Sequence, residues 1–384
     1  MNHSARTWDI FCTVVDNFGD IGVTWRLARQ LVHEHGQVVR LWIDDLDSFA
    51  RLCPSLDTAL AEQQVAGITV RLWPRDGFPD DVDAAEVVIE AFACTLPDAY
   101  LAAMQRRRPT PAWYNLEYLS AEDWIDGCHN LASPQPRFGL MKRFFFPGFT
   151  AQTGGLLCEA GLFEARDAWQ ADQAAQAAYW QALGLPPRRE GELRVSVFSY
   201  ETDALAGLVD TWSLSATPVT ALVPTGRALT SIAPLFDQAL EAGTLVQHGN
   251  LTVKVLPFTD QPGYDRLLWS CDANIVRGED SFVRAQWAAR PFVWHIYPQD
   301  EGAHLVKLDA FLERYIAGLP APQAATVRDL NLAFNTGGDA SALWPDLAAA
   351  LPALTQHALD WAKRQRAHGD LAGHLVHNAE NWLQ

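Results

Sequence analysis

The chain has 384 residues, enough for two cores and two domains. With 49% apolar and 20% charged residues its composition is that of an ordinary globular protein, which excludes a disordered or fibrous chain. A formal charge of −17 excludes a phosphate backbone as partner, because nucleic-acid binding needs a basic face, but it is compatible with an acidic cleft that receives a cation.

Residues 8–15 read as a buried strand, and residues 22–35 as a helix with Val23, Leu27 and Leu31 on one stripe and Gly36 as its stop. Between them lies the stretch VVDNFGDIGVTWRLARQL, residues 14–31, in which Asp16 and Asp20 bracket Asn17, Phe18 and Gly19. The dinucleotide fingerprint Gly-x-Gly-x-x-Gly is reduced here to Gly19-x-x-Gly22, and Asp20 stands where a pyrophosphate would lie, so NAD or FAD is not expected. Taken singly, Asp20 fits a helix N-cap and Asp16 an Asx-turn. Taken together they fit two acids converging on a cleft, able to hold a cation or take a proton.

Residues 37–43 form the next expected strand, with Asp44, Asp45 and Asp47 at a helix entrance. That acidic run resembles the Asp-x-Asp of metal-using glycosyltransferases, but it follows an early strand in a half without a phosphate loop and reads as a solvated helix cap. Residues 68–73, 86–92 and 111–116 are further strands, so the first half alternates as βαβ units do around a mostly parallel sheet. Residues 137–149 are aromatic and end in a turn; residues 165–183 are helical. The Pro-rich, charged segment 184–191 is the expected linker.

The alternation then restarts, with strands at 193–199, 219–223, 251–258 and 272–276, a helix at 279–289 and a strand at 291–297. Everything from His304 onward reads as helical. The expected organisation is therefore a first α/β domain over 1–183, a linker over 184–191, a second over 192–350 and a helical tail over 351–384. Ligands of such a pair belong outside the carboxyl ends of the strands.

The second half has its own strand–turn–helix junction, IVRGEDSFVRAQW. Arg277 leaves the strand, Gly278 permits the turn, and Glu279, Asp280 and Ser281 open the helix. A helix N-terminus beside an arginine can bind an anion, with Ser281 donating to a phosphate oxygen; the plain alternative is a capped helix. Phe198 and Tyr200 at one strand end, and Phe258 and Gln261 at another, could stack on a base and read its edge. His295 reads as a satisfied core histidine, and His304 stays open. Six scattered cysteines fit neither a zinc site nor a disulfide framework and point to a reducing compartment. With no signal peptide and no apolar run near ~18 residues, the expected location is the cytoplasm, with no membrane partner.

Five stretches together, VVDNFGDIGVTWRLARQL, NLEYLSAEDWIDGCHN, KRFFFPGFTAQTGGLL, RGEDSFVRAQWAARPFVWHIYPQ and AHLVKLDAFLERY, resemble the bacterial EarP family, the arginine rhamnosyltransferases of elongation factor P. The resemblance covers essentially the whole chain. It implies an α/β GT-B fold, with two facing Rossmann-like domains and a helical C-terminal tail, the first domain handling acceptor and the second donor. It implies dTDP-β-L-rhamnose as donor, an arginine of elongation factor P as acceptor, inversion at the anomeric carbon, and neither cofactor nor metal. The family's essential acids fall on Asp16, Asp20 and Glu279, with Asp16 and Asn17 toward the acceptor. Its donor contacts fall on Arg277, Asp280 and Ser281 around diphosphate and sugar, and on Phe198, Tyr200, Phe258 and Gln261 around the nucleotide. A non-catalytic nucleotide-sugar sensor or translation-factor docking protein would keep the anion site but need no acidic pair, and the retained acids argue against it.

Overall fold

The computed structural model describes residues 5–15, 18–74, 76–79 and 81–383. The chain divides into two compact units, Met1–Ala160 with Arg364–Gln384, and Gly161–Lys363.

The first unit runs β1 (Thr7–Cys12), α1 (Gly19–His33), β2 (Val38–Ile43), α2 (Leu46–Leu52), β3 (Glu62–Val65), β4 (Ile68–Leu72), β5 (Val87–Ala91), α3 (Asp98–Arg106), β6 (Ala112–Leu116), α4 (Trp124–Cys128), β7 (Ala132–Gln135) and β8 (Leu140–Phe145). Its sheet has the order β3-β4-β2-β1-β5-β6-β8-β7. The six inner strands are parallel, and β3 and β7 pair antiparallel at the two edges. Strands covered on both faces are mostly apolar, as in Val87–Ala91 and Ala112–Leu116, where every residue is buried and Glu90 and Asn115 are the polar exceptions. Asp9 breaks the run in β1 and is fully buried. Its charge is compensated by a two-pronged bond from Arg40, Nε to Oδ1 at 2.6 Å and Nη2 to Oδ2 at 2.5 Å, and by the Tyr100 hydroxyl and Trp42 Nε1.

The second unit runs α5 (Leu162–Ala171), α6 (Gln173–Ala182), β9 (Leu193–Val197), α7 (Ala204–Leu214), β10 (Val219–Pro224), α8 (Arg227–Ile232), β11 (Leu245–His248), β12 (Leu251–Leu256), α9 (Gln261–Ser270), β13 (Ala273–Arg277), α10 (Asp280–Trp287), β14 (Phe292–His295), α11 (Ala303–Tyr315), α12 (Ala321–Thr336) and α13 (Trp344–Arg366). Its sheet has the order β11-β12-β10-β9-β13-β14, parallel except for the edge strand β11. The last helix, α14 (Leu371–Leu383), belongs to the first unit.

The division differs from the sequence expectation at both ends. Helices α5 and α6 and the segment 184–191 sit within the second unit, because their side chains are spent there. Arg166 Nη1 donates to Trp287 O at 2.8 Å, Trp169 Nε1 to Ser270 Oγ at 2.8 Å, and Trp180 and Leu185 bury against Leu222, Leu256 and Leu267. The helical tail is not a separate element either: α14 returns to the first sheet. Leu371 N donates to Leu156 O, Gln30 Nε2 to Asp370 Oδ1 at 3.0 Å, and the Tyr114 hydroxyl to Asn378 Oδ1 at 2.8 Å. The aromatic stretch expected to end in a turn contains strand β8.

Among the described residues no helix is long and apolar enough to cross a membrane.

Candidate active site

In the first unit the order of strands reverses between β1 and β5, so the crevice at their carboxyl ends is the natural ligand position. The segment leaving β1 enters α1, which begins at Gly19, three residues before the expected start. Phe18 occupies the N-cap position without a capping side chain, so Asp20 is not the N-cap that one reading of the sequence made it. Asp20 lies in the first turn, where the helix dipole favours a carboxylate, and is only 3% exposed. Its Oδ2 accepts the backbone N–H of Val15 at 2.9 Å. A buried carboxylate is thus bonded to the very segment that leads into the loop. The neighbouring Cys12 thiol is pushed well up, first by burial and then by the charge of Asp20. Asp16 and Asn17 lie outside the described residues.

The run after β2 separates into two functions. Asp45 is the true N-cap of α2, its Oδ1 accepting Ser48 N at 3.0 Å. Asp44 instead accepts the N–H of Val14 through Oδ1 at 2.9 Å. Asp44 also borders a cavity of about 710 Å³ along with Thr13, Trp73, Asp76, Phe78 and Thr95. Reading the three aspartates as one solvated cap therefore holds for Asp45 and fails for Asp44.

In the second unit the strand order reverses between β9 and β13, and the expected donor residues gather at the carboxyl ends of those strands. Arg277 closes β13 and is 5% exposed. Its guanidinium carbon lies 4.6 Å from the Phe198 ring centre and 4.7 Å from that of Tyr200, both just beyond β9. Both rings lie within cation–π range of the guanidinium. Gly278 follows with φ of 61°, a left-handed turn that favours glycine, and its carbonyl accepts Trp294 Nε1 at 2.8 Å.

The next residues start α10. Glu279 occupies the N-cap position without a capping side-chain hydrogen bond, and Asp280 lies in the first turn. Ser281 bonds the turn itself. Its hydroxyl is donated to the Arg277 carbonyl while its oxygen accepts Arg277 N at 3.1 Å. It therefore staples the turn that aims Arg277. Gln261, at the start of α9 and 3% exposed, reaches Asp280 Oδ2 at 3.4 Å through Nε2. Helices α9 and α10 are locked together by Arg284 and Asp265, whose paired bonds measure 2.9 and 2.7 Å. Phe258 lies two residues beyond β12, half-buried.

Sequence reasoning missed one polar group here, Ser199, and took another, His295, for satisfied. The Ser199 hydroxyl is buried without a hydrogen-bond partner among the described residues, and so is His295 Nδ1. His295 pairs in register with Arg277 and packs between Tyr200 and Phe334, so it is buried but not satisfied. Burial first, then the charges of Arg277 and His304, push its pKa down to about 4. The signal for both was their place at a strand end beside the Arg-Gly-Glu-Asp-Ser turn. Among the described residues no group of three or more His, Cys, Asp or Glu side chains could hold a metal ion.

Two doubly wound α/β units, each with its polar residues at a sheet's switch point, define a GT-B glycosyltransferase fold. MurG of Acinetobacter baumannii shares that fold, with a TM-score of 0.51 at 12% identity over 98% of this chain and 100% of that one. The sequence also matches over residues 8–380 the family model described as Elongation-Factor P (EF-P) rhamnosyltransferase EarP. A protein-arginine rhamnosyltransferase of Pseudomonas putida is 52% identical over 98% of this chain and 99% of its own. One of Shewanella oneidensis is 48% identical over 97% of each. A solved structure described as the structural basis for EarP-mediated arginine glycosylation of translation elongation factor EF-P superposes with a TM-score of 0.71 at 39% identity, covering 98% of this chain and 99% of that one. The chain belongs to the EarP family of protein-arginine rhamnosyltransferases.

Proposed function

We propose that this protein is an inverting glycosyltransferase that moves L-rhamnose from dTDP-β-L-rhamnose to an arginine side chain of elongation factor P, acting in the cytoplasm. The first unit handles the acceptor and the second the donor. The observation that carries the reading is Asp20, a buried carboxylate at the switch point that caps no helix and is held by Val15 N–H.

An arginine guanidinium has a pKa above ~12 and no free lone pair, so it must be oriented and must lose a proton as it bonds to carbon. Removing that proton beforehand at pH 7 would cost roughly 7 kcal/mol or more, at ~1.4 kcal/mol per pKa unit. Proton loss therefore accompanies attack. Asp20 takes the proton, and Asp16 and Asn17 hold the guanidinium edge. The attack is in line with the departing diphosphate, which inverts the anomeric carbon. Arg277 and the first amides of α10 meet the leaving charge, so no metal ion is required. Glu279 holds the rhamnose and supports positive charge at its ring. Asp280 also serves the sugar, Ser281 sets the turn, and Phe198, Tyr200, Phe258 and Gln261 form the nucleotide pocket.

Intact-mass analysis of elongation factor P incubated with this protein and dTDP-rhamnose tests the reading, run with and without EDTA. One added deoxyhexose, in both conditions and absent from an arginine-to-lysine acceptor, is expected. An ammonium lacks the planar fork that two carboxylates engage. An unchanged mass refutes the transfer, and loss of transfer in EDTA that magnesium restores refutes the metal-free mechanism.

A further inference from the structure

We infer that Asp44 is a positioning residue for the acceptor loop, acting on Asp20 through the backbone of Val14 and Val15. The inference rests on the proposed transfer reaction and adds a residue to it. β1 and β2 are parallel with Cys12 opposite Ile43, so Thr13 and Asp44 leave the sheet side by side. Asp45 does the capping of α2, and Asp44 turns toward the neighbouring segment.

Two successive peptide N–H groups are then bound by two carboxylates from different elements. Val14 N donates to Asp44 Oδ1 at 2.9 Å, and Val15 N donates to Asp20 Oδ2 at 2.9 Å. The two peptide planes meet at the Val14 Cα, so holding the Val14 N–H restricts the φ and ψ through which the Val15 N–H can reorient. Asp44 thereby narrows the positions open to the donor that meets the base. Val15 is 64% exposed, so its side chain packs little, and these two hydrogen bonds restrain the segment's path. A misplacement of about 1 Å at a reacting group costs on the order of 100-fold in rate.

Asp44 also borders the 710 Å³ cavity, so a rival role would be to bind an acceptor cation by charge. The two roles respond differently to substitution. Asp44→Asn keeps an oxygen that accepts Val14 N–H and removes the charge; Asp44→Ala removes both.

The experiment is steady-state kinetics of rhamnosylation of elongation factor P by the full-length wild type and both variants, with dTDP affinity by calorimetry and thermal melts alongside. Positioning requires that Asp44→Ala lower kcat roughly 10- to 100-fold with KM for the acceptor within about threefold and dTDP affinity unchanged. Asp44→Asn should recover most of the kcat. An asparagine variant as impaired as the alanine variant, or a loss confined to acceptor KM, overturns positioning in favour of charge. An alanine variant with wild-type kcat overturns it outright, as does a parallel fall of kcat, dTDP affinity and melting temperature, which marks a folding role. A wild type that transfers no rhamnose refutes the underlying reaction instead, and is distinguished by the wild-type control.

Discussion

Replacing Arg277 by alanine should cut the affinity for donor while leaving the fold intact. The guanidinium is buried, held by Phe198 and Tyr200 at 4.6 and 4.7 Å, and placed at the switch point of the second sheet. A hydrogen bond to a charged partner contributes about 1.5–3 kcal/mol. Losing one from the diphosphate therefore raises Kd for dTDP-rhamnose roughly 10- to 160-fold. The turn itself should survive, because Ser281 bonds the backbone N–H and carbonyl of residue 277, not its side chain. Arg277→Lys separates charge from shape. It retains the cation but not the plane between two rings, and a loss of roughly threefold to tenfold is expected. Calorimetric titration with dTDP-rhamnose and with dTDP, on variants whose melting curves match wild type, measures both effects. An alanine variant with Kd within twofold of wild type would refute the assignment of Arg277 to the leaving diphosphate.

Asp20→Asn should lower kcat by roughly 10²- to 10⁴-fold, the usual contribution of a general base, with donor affinity retained. Loss of dTDP binding in parallel would reassign Asp20 to the donor. Asp265→Ala should destabilise the second unit by about 3–5 kcal/mol, because Arg284, 2% exposed, would keep a buried charge without that partner. A urea midpoint equal to wild type would contradict this. His295 makes stability fall as the pH falls. Its folded pKa of about 4 lies below the ordinary 6.5, so the unfolded chain binds the proton first as pH drops from 6.5 toward 4. The loss is about 2 kcal/mol at pH 5 and absent above pH 7.5. Urea unfolding at both pH values should show that much less pH dependence in a folded His295→Phe variant, and identical pH dependence in the two proteins would disprove the attribution.

Both junctions that carry the proposed chemistry were legible in the chain because a strand–turn–helix boundary has a local signature. A buried parallel strand must be continuously apolar, its end must turn, and polar residues placed there have few local reasons to exist. That logic found β1, β2, β4, β5 and β6, the β1–α1 loop, and the Arg277–Ser281 turn. The short edge strands β3, β7 and β11 escaped it, because four residues with one face in water carry little apolar signal. The unit boundary escaped it too. Segment 184–191 looks like a linker by composition, but Leu185 is buried beside Trp180 against residues from β10, β12 and α9, far away in sequence. The division of labour among carboxylates and hydroxyls was likewise a tertiary decision. Asp44 and Asp45 are chemically identical neighbours, yet one caps a helix and the other holds a backbone N–H thirty residues earlier. That Ser281 bonds the backbone of Arg277 was also visible only in the turn geometry. The chain alone determined which residue types stand at which strand ends. Which donor each of them meets was decided by the packing of the sheet, since hydrogen bonds act over about 3 Å in space whatever the separation along the chain.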